Sequence, residues 1–147
     1  MKNRTDKTVC CAECRLIVLP QVHDRAGNLT AVNNGVEIPF TVNRVYYLYD
    51  VPAGAERGGH SHRELREFLI AASGSFDVIL DDGADRRTVR LDRPNVGLLI
   101  EPGVWREIVS FSGGAICMVL ASAKYDEADY VRDYQEFIAL QHANHTL

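Results

Sequence analysis

A chain of 147 residues can bury one core and is too short for several. Its 46% hydrophobic and 24% charged residues are ordinary for a globular protein, and a net charge of −4 gives no footing for a nucleic-acid surface. No apolar run approaches the ~20 residues that span a bilayer, and the polar start from Met1 to Lys7 lacks the apolar centre of a signal peptide, so a cytoplasmic protein without membrane contact is expected.

Four cysteines are present: Cys10, Cys11, Cys14 and Cys117. Cys11-x2-Cys14 has the spacing of half a zinc site, but no second half matches it. Reduced, structurally incidental thiols are the expectation in a reducing compartment.

Arg15–Leu19 is a short apolar run ended by Pro20 and reads as a strand. His23–Asn28 reads as a turn, Leu29–Val32 as a second strand, and Asn33-Asn34-Gly35 as another turn. Thr41–Val51 is rich in valine and tyrosine and alternates with period two. One of its faces carries Val42, Arg44, Tyr46 and Leu48; the other carries Val45, Tyr47 and Tyr49. After a loop from Pro52 to Gly59 comes a strand holding His60 and His62, which extended backbone projects to one side.

Phe68–Ala72 has the composition of a buried strand and stops at Gly74. Ser75–Leu80 and Thr88–Leu91 flank Asp81-Asp82-Gly83, a hairpin signal. Val96–Ile100, Val104–Val109 and Ala115–Ala121 follow, with a turn at Pro102-Gly103. About one strand per ten residues predicts a sandwich or barrel. From Asp126 the period changes. Ala128, Val131, Tyr134 and Ile138 recur at three or four residues, which predicts one C-terminal amphipathic helix, capped by Asp126 and packed outside the barrel. No repeat, low-complexity stretch or second domain is evident, so one domain over residues 1–147 is expected, with its core over about 15–137.

Gly54-x5-His60-x-His62-x4-Glu67-x6-Gly74 fits the first signature of the cupin superfamily, all-β jelly-roll barrels whose interior can hold a ligand. Zinc and iron cupins add a third histidine from a second motif near a Pro-Gly turn. Here that region reads Glu101-Pro102-Gly103-Val104-Trp105-Arg106-Glu107, with no histidine and with an arginine as a poor metal neighbour. A triad of His60, His62 and Glu67 for non-haem iron stays open on ligand type alone. Clustered titratable groups on one face favour a functional reading of the histidine pair. Arg44 and Arg57 could hold phosphate bidentately, and Tyr46 and Trp105 could pack in the core or border a ligand. His23, His142 and His145 read as solvated.

Beyond these motifs, R-V-Y-Y-L-Y-D-V-P, R-G-G-H-S-H-R, G-S-F-D-V-I-L-D-D-G, P-G-V-W-R-E and V-L-A-S-A-K-Y-D-E-A-D-Y together resemble the sugar-nucleotide 3,4-ketoisomerases, from about Leu16 to Phe137. The resemblance implies a metal-free, cofactor-free cupin jelly roll with a short C-terminal helix. It implies action on dTDP-4-keto-6-deoxyglucose and a homodimer with exchanged N-terminal strands. It also implies that His60 and His62 are the catalytic pair and that Arg44, Tyr46 and Arg57 lie near the nucleotide-sugar; Glu67 and Trp105 are further candidate binding positions. Two positions depart from the family pattern: the early turn Asp24-Arg25-Ala26-Gly27, where D-x-R-G is commoner, and Glu67, where glutamine is frequent. A neutral imidazole is a suitable base near pH 7 for moving a ketone through an enediolate, with His60 expected to serve carbon and His62 the sugar oxygens. The absence of a Gly-rich dinucleotide loop agrees with chemistry that needs no redox cofactor. A metal-dependent dioxygenase-like cupin and a non-catalytic sugar-binding cupin are the competing readings. An epimerase is disfavoured in sequence, because its histidine–aspartate and tyrosine arrangement is not evident.

Overall fold

The computed structural model describes residues 11–145, so Cys10 lies outside the described part. After a single 3₁₀ turn at Cys11–Glu13 come strands β1 (Arg15–Val18), β2 (Val22–Asp24), β3 (Gly27–Leu29), β4 (Arg44–Leu48), β5 (Arg57–His62) and β6 (Glu67–Ser73). They are followed by β7 (Phe76–Asp81), β8 (Arg86–Leu91), β9 (Val96–Ile100), β10 (Trp105–Val109), β11 (Ile116–Ala121), β12 (Tyr130–Val131) and helix α1 (Tyr134–His145). Two five-stranded sheets, ordered β1-β9-β6-β11-β4 and β12-β5-β10-β7-β8, pack face to face as a jelly roll. The expected cupin jelly roll is what the chain forms, as two sheets rather than one continuous ring of paired strands. Among the described residues, β2 and β3 pair only with each other.

Alternation sets the layers. Leu69, Ala71, Val78, Leu80, Leu98, Ile100 and Val119 point between the sheets and form the main core. Phe68, Ile70, Leu99 and Leu120 point outward from the first sheet, where Leu19, Ile38 and Phe40 cover them. Gly97 makes room for that second layer, since a Cβ there would lie 2.1 Å from the Phe68 ring. Residues 30–43, expected to open with a strand at Leu29–Val32, are instead a strandless cover. The strand stops at Leu29 because its hairpin partner runs only from Val22 to Asp24.

The C-terminal segment departs from the predicted helix. Asp126 does act as a cap, but of a 3₁₀ turn at Glu127–Asp129, where its carboxylate accepts the Ala128 N–H. Tyr130 and Val131 are then drawn into strand pairing opposite His62 and Ser61. The helix starts only at Tyr134, with the Asp133 carboxylate accepting the Glu136 N–H. It packs outside the sandwich through Phe137 against Trp105 and Val131.

Cys11, Cys14 and Cys117 are buried. Burial, and for Cys11 the Asp82 charge as well, pushes Cys11 and Cys117 up to about 12. Thiolate chemistry is therefore disfavoured at these two sites.

Candidate active site

One end of the sandwich carries the titratable cluster, and the strand registers explain why. His60 lies opposite Arg106 on β10, and His62 lies opposite Tyr130 on β12, so all four share the inner face of the second sheet. From the first sheet, Glu67 stands in line with Ala121 and Arg44, and Tyr46 pairs with Val119. Arg44, Tyr46 and Leu48, which the alternation grouped on one face, therefore face inward, while Val45, Tyr47 and Tyr49 on the other face are exposed.

Between Ile108 and Arg106 the partner strand β5 carries one extra residue, a bulge at the Gly-Gly pair. Gly58 has φ +71°, and a Cβ there would sit 3.0 Å from Arg106 Nη1. The bulge thus lets the guanidinium lie against the backbone beside the histidines.

Arg106 is the centre of the cluster and is 2% exposed. Its Nη2 lies 2.8 Å from Glu67 Oε1, 3.0 Å from the Tyr46 hydroxyl and 2.9 Å from His60 Nε2. The Tyr46 hydroxyl in turn donates to Glu67 Oε2 at 2.5 Å. His62 sits between two carboxylates, with Nδ1 3.1 Å from Asp129 Oδ2 and Nε2 3.3 Å from Glu67 Oε1. Asp129 also accepts the backbone N–H groups of Glu64 and Leu65, which ties the C-terminal segment to the turn after β5. The Tyr130 ring covers both imidazoles, with centroids 4.9 Å from His60 and 4.4 Å from His62.

These contacts decide the charge states. Burial, the Arg106 charge and His62 hold the His60 imidazole down at about 2, so it is neutral at physiological pH. Burial alone would raise Glu67, but the Arg106 guanidinium, then His62 and Tyr46, outweigh it and hold the carboxyl at about 2. Burial and the Glu67 charge push the Tyr46 phenol upward, against the opposing pull of Arg106.

One expected result follows for stability. The buried His60 takes up its proton only far below the ~6.5 of an unfolded histidine, so below that pH the unfolded chain binds the extra proton. The His60 contribution is complete above about pH 6.5 and is lost as pH falls, by ~1.4 kcal/mol per pH unit for one proton. Urea unfolding at stepped pH checks this: His60→Asn should flatten the slope between about pH 6.5 and 4.5, above the range where Glu67 titrates.

Above the cluster opens a cleft of about 500 Å³. Arg106 and His60 form part of its wall, with Arg44, Arg57 and Tyr130 toward the mouth. Arg44 lies over the Tyr46 ring at 4.5 Å and 3.4 Å from the Tyr130 hydroxyl. His62 is not on the cleft wall; Tyr130 and the two carboxylates enclose it. Trp105 does not join the site. It neighbours Arg106 in sequence and so points to the opposite face, where it packs on Tyr134 and Phe137 beneath the helix. Its expected ligand-binding role is corrected to core packing.

Sequence reasoning missed three contributors. Arg106 was weighed only as a poor metal neighbour. Asp129 and Tyr130 were assigned to a helix, so the histidine–aspartate pair with an adjacent tyrosine, thought absent, is in fact present. The signal available was Asp129-Tyr130 within an acidic run following the last core strand.

A metal ion in this cluster does not fit the residues present. His60, His62 and Glu67 offer donor atoms within 4.8 Å of one another, but a permanent cation already faces two of those donors.

A jelly roll with a buried histidine–arginine–carboxylate cluster under an arginine-lined cleft defines a small-molecule cupin specialised for proton transfer. Residues 12–142 match the family described as FdtA: WxcM-like, C-terminal, and the chain belongs to that family. A TDP-4-oxo-6-deoxy-alpha-D-glucose-3,4-oxoisomerase of Aneurinibacillus thermoaerophilus is 42% identical over 125 residues, covering 85% of this chain and 90% of the relative. QdtA, a sugar 3,4-ketoisomerase from Thermoanaerobacterium thermosaccharolyticum solved in complex with TDP, superposes with TM-score 0.89 at 37% identity, covering 93% of this chain and 99% of that one. A histidine-to-asparagine variant of that enzyme, in complex with TDP-4-keto-6-deoxyglucose, superposes with TM-score 0.88 at 36% identity, covering 91% and 97%.

Proposed function

We propose that the chain is a sugar-nucleotide 3,4-ketoisomerase that moves the keto group of dTDP-4-keto-6-deoxyglucose from carbon 4 to carbon 3, in deoxysugar biosynthesis. The observation that carries the reading is a neutral His60 on the cleft wall, 2.9 Å from a buried guanidinium. Once Arg106 turns its N–H groups from His60 Nε2 to the ketone oxygen, that nitrogen takes the proton from carbon 3. The electron pair moves to form the carbon 3–carbon 4 double bond, and the ketone oxygen gains negative charge. Arg106 Nε and Nη1 are buried and have no hydrogen-bond partner among the described residues, so they can donate to that oxygen. Loss of the hydroxyl proton at oxygen 3 and return of a proton at carbon 4 complete a reaction in which no atom is gained or lost. No electron acceptor is required.

His62 was expected on the oxygen side. Its place behind Tyr130, between Asp129 and Glu67, supports a positioning role beside His60 instead. Glu67 and Tyr46 in this reading hold Arg106 in place and do not touch the sugar. The proteins named above act on or bind TDP-linked ligands, and this supports the same class of substrate here. Incubation with dTDP-4-keto-6-deoxyglucose, followed by proton NMR, tests the proposal. The expected result is accumulation of a 3-keto product; unchanged substrate would sink it.

In this reading Arg57 and Arg44, which line the cleft, hold the diphosphate. Such contacts are equal in ground and transition states, so Arg57→Ala should raise KM with kcat nearly unchanged. A collapse of kcat at constant KM in steady-state assays would move Arg57 to the reacting atoms.

We also propose a homodimer. Leu16 and Val18 face the inner side of edge strand β1 yet are 51% and 72% exposed, and Val22 and Leu29 are exposed on the hairpin. Such an edge needs cover. β1 already pairs with β9 of its own chain, so the β2–β3 hairpin is the better candidate for reaching a second copy. Light scattering is expected to give twice the chain mass, and a monomer at working concentration would count against it. No helix among the described residues is long and apolar enough to cross a membrane. A charged nucleotide-sugar substrate, which does not cross a bilayer unaided, supports a cytoplasmic site of action.

A further inference from the structure

We propose that Leu48 and Ile108 form the subsite for carbon 6 of the sugar and make the cleft selective for a 6-deoxy ring over one that keeps its 6-hydroxyl. The inference rests on the substrate class proposed above and adds the residues that read one end of the sugar.

Three observations carry it. First, the cleft is polar except at one place. Arginines, tyrosines and His60 make up most of its wall, and Leu48 and Ile108 are its only aliphatic side chains among the described residues. Strand alternation brings them there. Leu48 follows Tyr46 by two positions on β4, and Ile108 follows Arg106 by two on β10, so both turn inward beside the reacting cluster. Second, the main core backs the patch. Ile108 belongs to that core and is 1% exposed, and the partly buried Leu48 packs against it. Cys117, opposite Leu48 on β11, is buried in the same cluster. A group seated on the patch is therefore cut off from water on the core side. Third, the patch adjoins the donor of the oxyanion site. A Cβ at Gly58 would lie 3.0 Å from Arg106 Nη1 and 3.4 Å from Ile108 Cδ1. Glycine leaves that point open. One N–H group of the guanidinium and one methyl group of Ile108 thus flank the same small space.

A 4-keto-6-deoxy sugar presents the matching pattern. Carbon 5 is bonded to carbon 4, so its methyl group hangs directly beside the ketone oxygen. When that oxygen accepts from Arg106 Nη1 at ~2.9 Å and carbon 3 turns toward His60, the methyl group is left to the aliphatic pair. A hydroxyl on carbon 6 would be pressed against hydrocarbon, and burying a hydroxyl without a partner costs affinity. The guanidinium beside the patch is engaged by the ketone oxygen. The extra hydroxyl can bond to it only by displacing that oxygen, which misplaces the reacting carbon.

Calorimetry with dTDP, dTDP-glucose and dTDP-6-deoxyglucose tests the proposal without turnover, because the two sugars differ only at carbon 6. Wild type should bind the 6-deoxy compound ~10–10²-fold more tightly than dTDP-glucose, the range over which an apolar pocket separates ligands that differ by a hydroxyl. Leu48→Asn should bring that ratio close to one, and Leu48→Met should preserve it. Both variants should bind dTDP as wild type does, since the patch faces the sugar. If Leu48→Asn does not fold, Ile108→Thr carries the same expectation, and the wild-type ratio needs no variant. Equal wild-type affinity for the two sugars overturns the proposal. So does a ratio unchanged in Leu48→Asn, or a loss of dTDP binding as large as the loss of the 6-deoxy sugar, which would assign the patch to the base. The reaction itself fails by a different sign: no 3-keto product in the NMR assay, with the 6-deoxy preference intact.

Discussion

His60→Asn is expected to abolish the exchange of substrate hydrogen at carbon 3 with deuterated water while the protein still folds and binds dTDP. A general base must reach its proton within hydrogen-bond distance, directly or through one water, and His60 is the imidazole on the cleft wall. Its neighbours keep it neutral at rest with Nε2 accepting from Arg106, so that contact must give way to substrate before the imidazole can take the proton. Asparagine preserves part of its shape and its contact with Arg106 but cannot take and return a proton near neutral pH. The loss should be ~10²–10⁴-fold, as is typical for removal of a general base. Deuterium incorporation followed by NMR, with dTDP binding by calorimetry as the control, reads both halves. His62→Asn should slow turnover and leave measurable exchange, since His62 acts through the position of its neighbours. Exchange lost only in His62→Asn would reverse the two roles. Exchange surviving in both variants would place the base elsewhere, with Tyr130 the next hydroxyl on the wall.

The largest effect on stability should come from Arg106→Met. Arg106 and Glu67 are 2% and 1% exposed and pair at 2.8 Å. Removing one member of a buried ion pair strands the other charge, at a cost of ~3–5 kcal/mol. Glu67→Gln should cost less, because the amide oxygen can still accept from Arg106 or Tyr46. The double variant Arg106→Met/Glu67→Gln should recover much of the loss, since neither charge then remains. Urea unfolding of the four proteins at pH 7 gives the coupling energy directly. Losses that simply add would mean that the two side chains do not stabilise each other. Arg106→Met should also lower kcat by ~10²–10³-fold if its free N–H groups meet the oxyanion.

Most of the fold was legible because strand alternation and turn chemistry act locally. Period two alone separated Val45, Tyr47 and Tyr49 from Arg44 and Tyr46, and packing then decided that the first three are exposed. His60 and His62 were found the same way. What escaped were features decided by partners far along the chain. Arg106 lies 46 positions from His60, and nothing local says that a bulge at Gly58 will admit its guanidinium. Asp129 lies 67 positions from His62, and its helical spacing with Val131 is overridden by strand pairing to β5. Trp105 was misplaced because a period-two strand has two faces, and only the register with β5 tells which one meets the cavity.

The two-residue strand β12 has a consequence for synthesis. Every strand of both sheets except β12 ends by Ala121, so the emerging polypeptide can assemble almost its whole scaffold before Asp129 and Tyr130 leave the ribosome. Until then, His62 has no carboxylate at Nδ1 and neither imidazole is roofed. A chain cut just before Asp129 would thus hold every strand of both sheets except β12 and lack the support and roof of its histidines. The last wall is laid against β5 by Tyr130 and Val131.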